Sequence, residues 1–391
     1  MSESRTFYEF FAGGGMARAG LGEGWRCAFA NDFSEMKART YEANWGKAHF
    51  VSGDVGLIQA SQLAGRADLT WASFPCQDLS LAGTYRGLGE SSSQVMTRSG
   101  TFWPFWALMT QLRNEGRAPR LIVLENVTGA LSSRGGRDFN ALCEALADGG
   151  YRYGAMVIDA RHFVPQSRPR LFFIAVAADV PTPASLMRHG PDRLWHPPAL
   201  CAAQARLAGA AKEQWVWWSM DQPPVRNMGF ADIIEEKPTH CRWHSQGETQ
   251  RLLAMMTPLH LAKIDQARAS GKRRVGGVYK RTRLDENGVK RQRAEVRFDD
   301  LAGCLRTPAG GSSRQAIVVV EGSSVRSRLL SPREAARLMG LDDDYILPDR
   351  YNDAYHVAGD GVCAPVVRYI AAQLLEPILA AADRGDEAMA A

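Results

Sequence analysis

The chain has 391 residues, 45% hydrophobic and 23% charged, the make-up of an ordinary globular protein of two or three domains. No run of 18 apolar residues indicates a membrane span, and "MSESRTFYEFFAGGG" lacks the basic and apolar regions of a signal peptide, so a cytoplasmic location is expected. The net charge of +5 is uneven: the window 271–297 holds ten Lys or Arg against three Asp or Glu, a net +7 that leaves −2 for the rest. A concentrated basic patch on a near-neutral body points to a polyanion, or else to a solvated basic loop. Seven cysteines lie at 27, 76, 143, 201, 241, 304 and 363 with no CxxC pair, which argues for reduced thiols and against a disulfide framework or a metal site.

Residues 1–178 alternate strand-like and helix-like segments. "TFYEFFA" reads as a strand ending in glycines, and "RCAFAND" as a second ending in an acid. "SEMKARTYEANW" reads as a helix capped by Ser34, followed by the strands "HFVSGD" and "DLTWASF". The helix "FWPFWALMTQL" and the strand "RLIVLENV" come next. In "RDFNALCEALADGG", Phe139, Leu142, Cys143, Leu146 and Ala147 fall on one helical face. "YGAMVIDA" and "RLFFIAVA" complete the series. The alternation predicts an α/β domain with a largely parallel sheet between helices. The pattern breaks near Val180 in a proline-rich stretch, and 179–325 reads as a second, irregular, Trp-rich and basic domain. Helices return at "SPREAARLMG", with a capping box from Ser331 to Glu334, and at "APVVRYIAAQLLEPILAAA". The segment 326–391 is expected to complete the first domain.

Ligands of α/β sheets gather at the carboxyl ends of strands. Gly13, Gly14 and Gly15 let backbone approach a ligand there; Asp32 lies 19 residues after Gly13, a spacing that suits ribose hydroxyls, and Asp54 ends the next strand. Together they describe a nucleoside-containing cofactor. Cys76 follows Pro75 where a core strand has ended and polar residues begin, a position that suits a nucleophile better than a packing thiol. Glu125 ends "LIVLE" and is placed to move a proton, or only to cap a turn. In "QSRPR", Gln166, Arg168 and Arg170 would share a face of an extended chain. Two guanidiniums on one face suit a phosphate or a pyrimidine carbonyl, with surface ion pairing as the plainer use.

"FFAGGGMARAGLG", "GDV", "FPCQDLSLAG", "LENVTG", "QSRPR", "LRTPAGGSSRQ" and "LLSPREAARLMGL" occur in the order of the motifs of the DNA cytosine-C5 methyltransferases, and the chain resembles that family over 1–178 and 300–375. The resemblance implies a Rossmann-like fold that uses S-adenosylmethionine and yields S-adenosylhomocysteine, with no metal. It implies that Cys76 attacks C6 of a flipped-out cytosine, Glu125 contacts N3 and the exocyclic amine, and Arg168 and Arg170 hold the ring and nearby phosphates. Phe11, Ala12, Gly13, Gly15, Asp32, Phe33, Asp54, Val55, Pro75 and Asp360 would line the cofactor. Duplex DNA would meet Gln77, Ser80, Arg306 and Arg314, together with Lys272, Arg273, Arg274, Lys280, Arg281 and Arg283 of the basic window, 179–325 being the target-recognition region. Asp360 stands where the family has Asn, Met16 where glycine is common, and the loop 83–99 suits a mobile lid or a plain loop. A monomer is expected, with a restriction endonuclease as a possible cognate partner. The rivals are a tRNA cytosine methyltransferase, whose Cys-Phe-Thr motif is absent, and a catalytically silent DNA-binding regulator, which would have lost Cys76, Glu125 or Arg170.

Overall fold

The computed structural model describes residues 4–75, 101–284, 288–306 and 314–390. Cys76, Gln77, Ser80 and the 83–99 loop lie outside the described residues. The chain divides into two compact units. One comprises Met1–Ile158, Pro169–Gln222 and Val366–Ala391, the other Asp159–Arg168 and Pro223–Pro365.

The first unit is built on β1 (Arg5–Phe10), α1 (Met16–Leu21), β2 (Trp25–Asp32), α2 (Glu35–Trp45), β3 (Phe50–Ser52), β4 (Leu69–Ala72), α3 (Phe102–Asn114), β5 (Leu121–Val127), α4 (Arg137–Asp148), β6 (Tyr151–Asp159) and β7 (Pro169–Ala177). The seven strands form one sheet in the order β3-β2-β1-β4-β5-β7-β6. β3 through β5 pair in parallel, whereas β7 runs antiparallel to β5. Leu121, Ile122, Val123 and Leu124 are successive and all buried, so both faces of β5 are covered, as a parallel sheet between helices requires. The strand order reverses between β1 and β4, and the crevice outside their carboxyl ends is where such sheets take ligands. Because β7 is antiparallel, it brings its amino end to that same edge, with Arg170 opposite Val127.

The expected boundary at 178/179 lies later, after Gln222. β8 (Met187–Arg188) pairs with β9 (Trp217–Trp218), which follows α5 (Pro198–Ala205) and α6 (Gly209–Glu213). Tyr153 bridges to Trp215, and the buried Trp218 indole donates to the Ile174 carbonyl at 3.1 Å, tying 179–222 to the β6–β7 side of the sheet. Of the three tryptophans in "WVWWSM", Trp218 is buried in the core of the sheet unit, and Trp215 and Trp217 are half-buried beside it.

The second unit contains α7 (Gln246–Ala254), α8 (Pro258–Ala269), β10 (Arg274–Leu284), β11 (Lys290–Arg297), β12 (Ala316–Glu321), β13 (Ser324–Leu329), α9 (Pro332–Arg337) and α10 (Tyr351–Asp360). Its sheet is antiparallel, β11-β10-β12-β13, where the sequence shows only irregularity. Leu252 of α7, Ile264 of α8 and Met256 between the two helices pack with Val278, Ala294, Val296, Val318 and Val320 of the strands. The 326–365 part belongs here: β13 pairs with β12, and Arg328 meets Glu334 at 2.8 Å with both side chains 0% exposed. Ser331 caps α9 by the expected box with Glu334. α11 (Ala364–Ile370), a π turn and α12 (Glu376–Ala390) follow. The segment Tyr351–Gly385 is long and apolar enough to cross a membrane, against expectation, but 61% of its most apolar window is buried in the protein, as in a core helix.

Candidate active site

The glycine loop leaves β1 with Phe11 at φ 56, Gly13 at φ 59 and Gly15 at φ 80. Among the described residues a methyl group on Gly13 would meet nothing within 4 Å, whereas on Gly15 it would collide with the Trp45 indole. Asp32 ties the loop to the end of β2. One carboxylate oxygen accepts from the Gly13 amide at 2.8 Å and the other from the Ser34 amide at 2.8 Å, while Ser34 caps α2. Phe33, next in the chain, is 78% exposed on an otherwise well-packed edge. An aromatic ring left in water beside a carboxylate and a glycine loop is what a purine-bearing ligand would cover. Asp54 accepts from the Gly56 amide at 2.8 Å and so starts the turn beyond β3, with Val55 buried beneath; Ala12 is also buried.

Pro75 ends the described part of the β4 edge. The Asn126 amide donates to the Phe74 carbonyl at 3.2 Å, which clamps this segment to β5 just before Cys76 in the chain. Glu125 is 6% exposed and lies 3.2 Å from Arg170 Nε. The pair is set by register: Arg170 is opposite Val127, so its side chain stands on the same face as Glu125, two residues back.

Arg168 is in the other unit, and the expected common face with Arg170 does not form, because β7 begins only at Pro169. Its guanidinium donates to the carbonyls of Leu305 (3.2 Å), Gly359 (2.9 Å) and Gly361 (2.8 Å). Arg168 therefore straddles Asp360, holding the peptides on either side of it. Gln166 is likewise buried, donating to the Leu338 carbonyl at 2.7 Å and accepting from the Leu305 amide at 3.0 Å.

The sequence did not single out Glu9, a lone acid in an apolar strand. It is buried and accepts from the Ala17 and Arg18 amides, and burial pushes its carboxyl up to about 8. The Arg18 guanidinium lies 4.9 Å from the Trp45 ring, whose indole N–H donates to the Gly14 carbonyl at 3.0 Å. The glycine loop is thus anchored from beneath by Glu9 and Trp45. Cys27, Cys143 and Cys363 are buried packing thiols, and burial pushes Cys27 up to about 12.

In the second unit Lys272, Arg274, Arg281, Arg283 and Arg306 are exposed and Lys280 half-buried. Arg273 is engaged by Glu236 (2.7 Å) and Glu321 (3.0 Å), and Arg274 donates to the Phe298 carbonyl at 3.3 Å. Arg314 lies over the Tyr351 ring at 5.2 Å. Among the described residues no cluster of His, Cys, Asp or Glu could hold a metal ion.

The sheet order, with an antiparallel seventh strand and a glycine loop at the switch point, defines a Rossmann-like methyltransferase fold. Solved structures agree: Dnmt2 methyltransferase of S. pombe (TM-score 0.55, 16% identity, 96% of this chain and 99% of that one) and a putative DNA modification methyltransferase encoded within an E. coli prophage (TM-score 0.54, 16% identity, 97% and 100%). The family model for C-5 cytosine-specific DNA methylase matches residues 5–376, and the chain belongs to that family. It is an enzyme, a DNA cytosine-C5 methyltransferase, of a family whose methyl donor is S-adenosylmethionine. Relatives include the type II methyltransferases M.NlaX of Neisseria lactamica (24% identical, 96% of this chain and 98% of that one) and M.HpaII of Haemophilus parainfluenzae (24%, 97% and 91%). The DNA-cytosine methyltransferase of Escherichia coli K12 is 25% identical over 95% of this chain and 77% of its own.

Proposed function

We propose that the enzyme acts on a cytosine turned out of duplex DNA, through a covalent bond from Cys76 to C6. The observation that carries this is the Glu125–Arg170 pair at the β5–β7 edge, next to the segment that leads into Cys76. The Cys76 thiolate adds to C6; Glu125 holds a proton at N3 as negative charge develops there, and Arg170 fixes Glu125 and faces the ring. C5 then becomes enamine-like, and after alkylation its proton leaves and the Cys76–C6 bond breaks. The ring must be approached face-on, which stacking in the duplex prevents, hence the flipped base.

Phe11, Ala12, Gly13, Gly15, Asp32, Phe33, Asp54, Val55, Pro75 and Asp360 would hold S-adenosylmethionine. The room that the described residues leave at Gly13, the exposed Phe33 ring and the two acids at neighbouring strand ends fit a nucleoside-containing group. When bound, it supplies an electrophilic methyl group and leaves as S-adenosylhomocysteine. Arg168 serves by holding the chain at Asp360. Gln77, Ser80, Lys272, Arg273, Arg274, Lys280, Arg281, Arg283, Arg306 and Arg314 would meet DNA. The type II names of the relatives favour work beside a cognate restriction endonuclease, and the reading takes the enzyme as a monomer in the bacterial cytoplasm. A duplex carrying 5-fluorocytosine at the target tests the mechanism: fluorine cannot leave as a cation, so wild-type enzyme with cofactor forms a stable adduct and Cys76→Ala forms none. No adduct with wild type overturns the covalent route.

A further inference from the structure

Beyond Ala72 the chain leaves the β4 ladder and reaches Cys76 in four residues. Its backbone ties there are weak: the Ser73 amide reaches the Phe10 carbonyl only at 3.4 Å, and Pro75 has no N–H to give. Two side chains hold the stretch. Asn126 donates to the Phe74 carbonyl from β5. Trp71 acts from β4 itself, its indole N–H donating to the Ser73 hydroxyl at 3.1 Å. Residues two apart on an extended chain point to one face and stand about 6.6 Å apart, a gap that an indole spans. Trp71 is 0% exposed, and a buried indole N–H needs an acceptor. A phenylalanine would fill much of the same space with no polar atom to satisfy, so core packing alone does not account for the pair.

The register puts this bond on the face that carries Glu125. Trp71 is opposite Val123 and Ala72 opposite Leu124, so Ser73 and Glu125 are the next residues along their two strands. By the period of two, Val123 and Glu125 share the face of Trp71. On the other side of β5, Phe172 is opposite Glu125 and Arg170 opposite Val127. The Trp71 and Phe172 rings meet edge to face with centroids 6.2 Å apart. One indole therefore packs on the residue beside Glu125 and, through its N–H, holds the residue that starts the turn towards Cys76.

We propose that Trp71 and Ser73 are positioning residues for the methyl-transfer reaction: the indole N–H fixes the Ser73 hydroxyl, and with it the backbone that leads into Cys76, in register with Glu125. The proposal rests on the covalent reading above and deepens it. Attack at C6 and the holding of a proton at N3 act on one ring, so the thiol and the carboxylate must keep a set separation. Glu125 is restrained by Arg170, and the Phe74 carbonyl by Asn126. The Trp71–Ser73 bond restrains the residue before Phe74, on the Glu125 face. Neither side chain supplies a group to the ring; both act through the chain. Their loss therefore slows the chemical step and spares the binding of DNA and of the methyl donor.

The rate of covalent trapping by a duplex with 5-fluorocytosine at the target, under single turnover with saturating S-adenosylmethionine, reads the attack itself. Wild-type enzyme that traps nothing sinks the covalent reading; variants compared with a wild type that does trap bear on the pair alone. Ser73→Val and Ser73→Thr have the same shape and differ by the hydroxyl. Ser73→Val should slow trapping, and kcat on ordinary DNA, by about ten- to a hundredfold with both KM values unchanged. Ser73→Thr should restore most of the rate. Trp71→Phe keeps a ring and loses the N–H, and should slow trapping as much as Ser73→Val. The double variant should be no slower than either single one, because each removes the same bond. If Trp71→Phe does not fold, the valine and threonine variants decide alone. Equal rates for those two, or losses that multiply in the double variant, would overturn the proposal and leave the indole bond a feature of the core.

Discussion

The two units carry their chemistry-bearing residues in different ways. In the sheet unit they sit at strand ends, where an apolar run gives way to Gly13, Asp32, Asp54, Pro75 or Glu125. In the second unit they lie along strands, and the pairing of β10 with β11 decides which arginines stand together. A strand end is a local event in composition. A shared face across two strands is not local, since a slip of one residue would turn every side chain to the other side. Arg168 and Arg170 show the contrast over two residues: one is locked on carbonyls of the second unit, the other pairs with Glu125 in the first.

The largest effect that would sharpen this contrast is catalytic. Glu125→Gln should lower methyl transfer by about 10²–10⁴-fold, measured by incorporation of labelled methyl groups, with cofactor affinity unchanged. A loss of less than tenfold would remove Glu125 from the reaction and with it the claim that the sheet edge holds the chemistry. In the second unit the matching experiment concerns stability. Glu334→Gln leaves Arg328 buried without its counter-charge and should destabilise the protein by about 3–5 kcal/mol in urea denaturation.

The sheet unit should also set a pH response. Glu9 has its carboxyl pushed up to about 8 from 4.5 by burial, with the amides of Ala17 and Arg18, the Arg18 guanidinium and the Asp32 carboxylate as its other influences. A raised carboxyl binds its proton more tightly in the folded state, so its contribution is full below pH 4.5 and is lost as pH rises through about 8. The slope is at most about 1.4 kcal/mol per pH unit. Glu9→Gln should flatten the fall in stability between pH 5 and 8, and an unchanged profile would place the proton elsewhere. Smallest is the pair of glycines. Gly15→Ala combines a positive φ with the Trp45 clash and should cost about 1–3 kcal/mol, whereas Gly13→Ala, with no clash among the described residues, should cost about 1 kcal/mol and act mainly on cofactor affinity. Equal losses in thermal melting would show that Trp45 yields and does not anchor the loop.

Much of the sheet unit was legible in order. The capped helix at Ser34, the strand ends at Asp32 and Glu125 and the core role of Cys143 each follow from a local rule of capping, periodicity or burial, as does the capping box at Ser331 in the second unit. Glu9 was missed because nothing local distinguishes an acid that will be buried from one at a strand edge, although its place inside "TFYEFFA" was a signal. The antiparallel sheet of the second unit was not legible, since its strands alternate around glycines and arginines and their apolar face is shared with α7 and α8.

By itself the sequence determined the family, the order of the motifs and the residue types offered to the ligand, because these depend on neighbours along the chain. The tertiary structure alone decided that 179–222 stays with the sheet, that Arg168 holds the chain around Asp360, and that Arg281 stands opposite Arg293 and Arg283 opposite Arg291. Those outcomes depend on strand register and on which carbonyls are left without partners after folding, and both are settled between segments far apart in the chain.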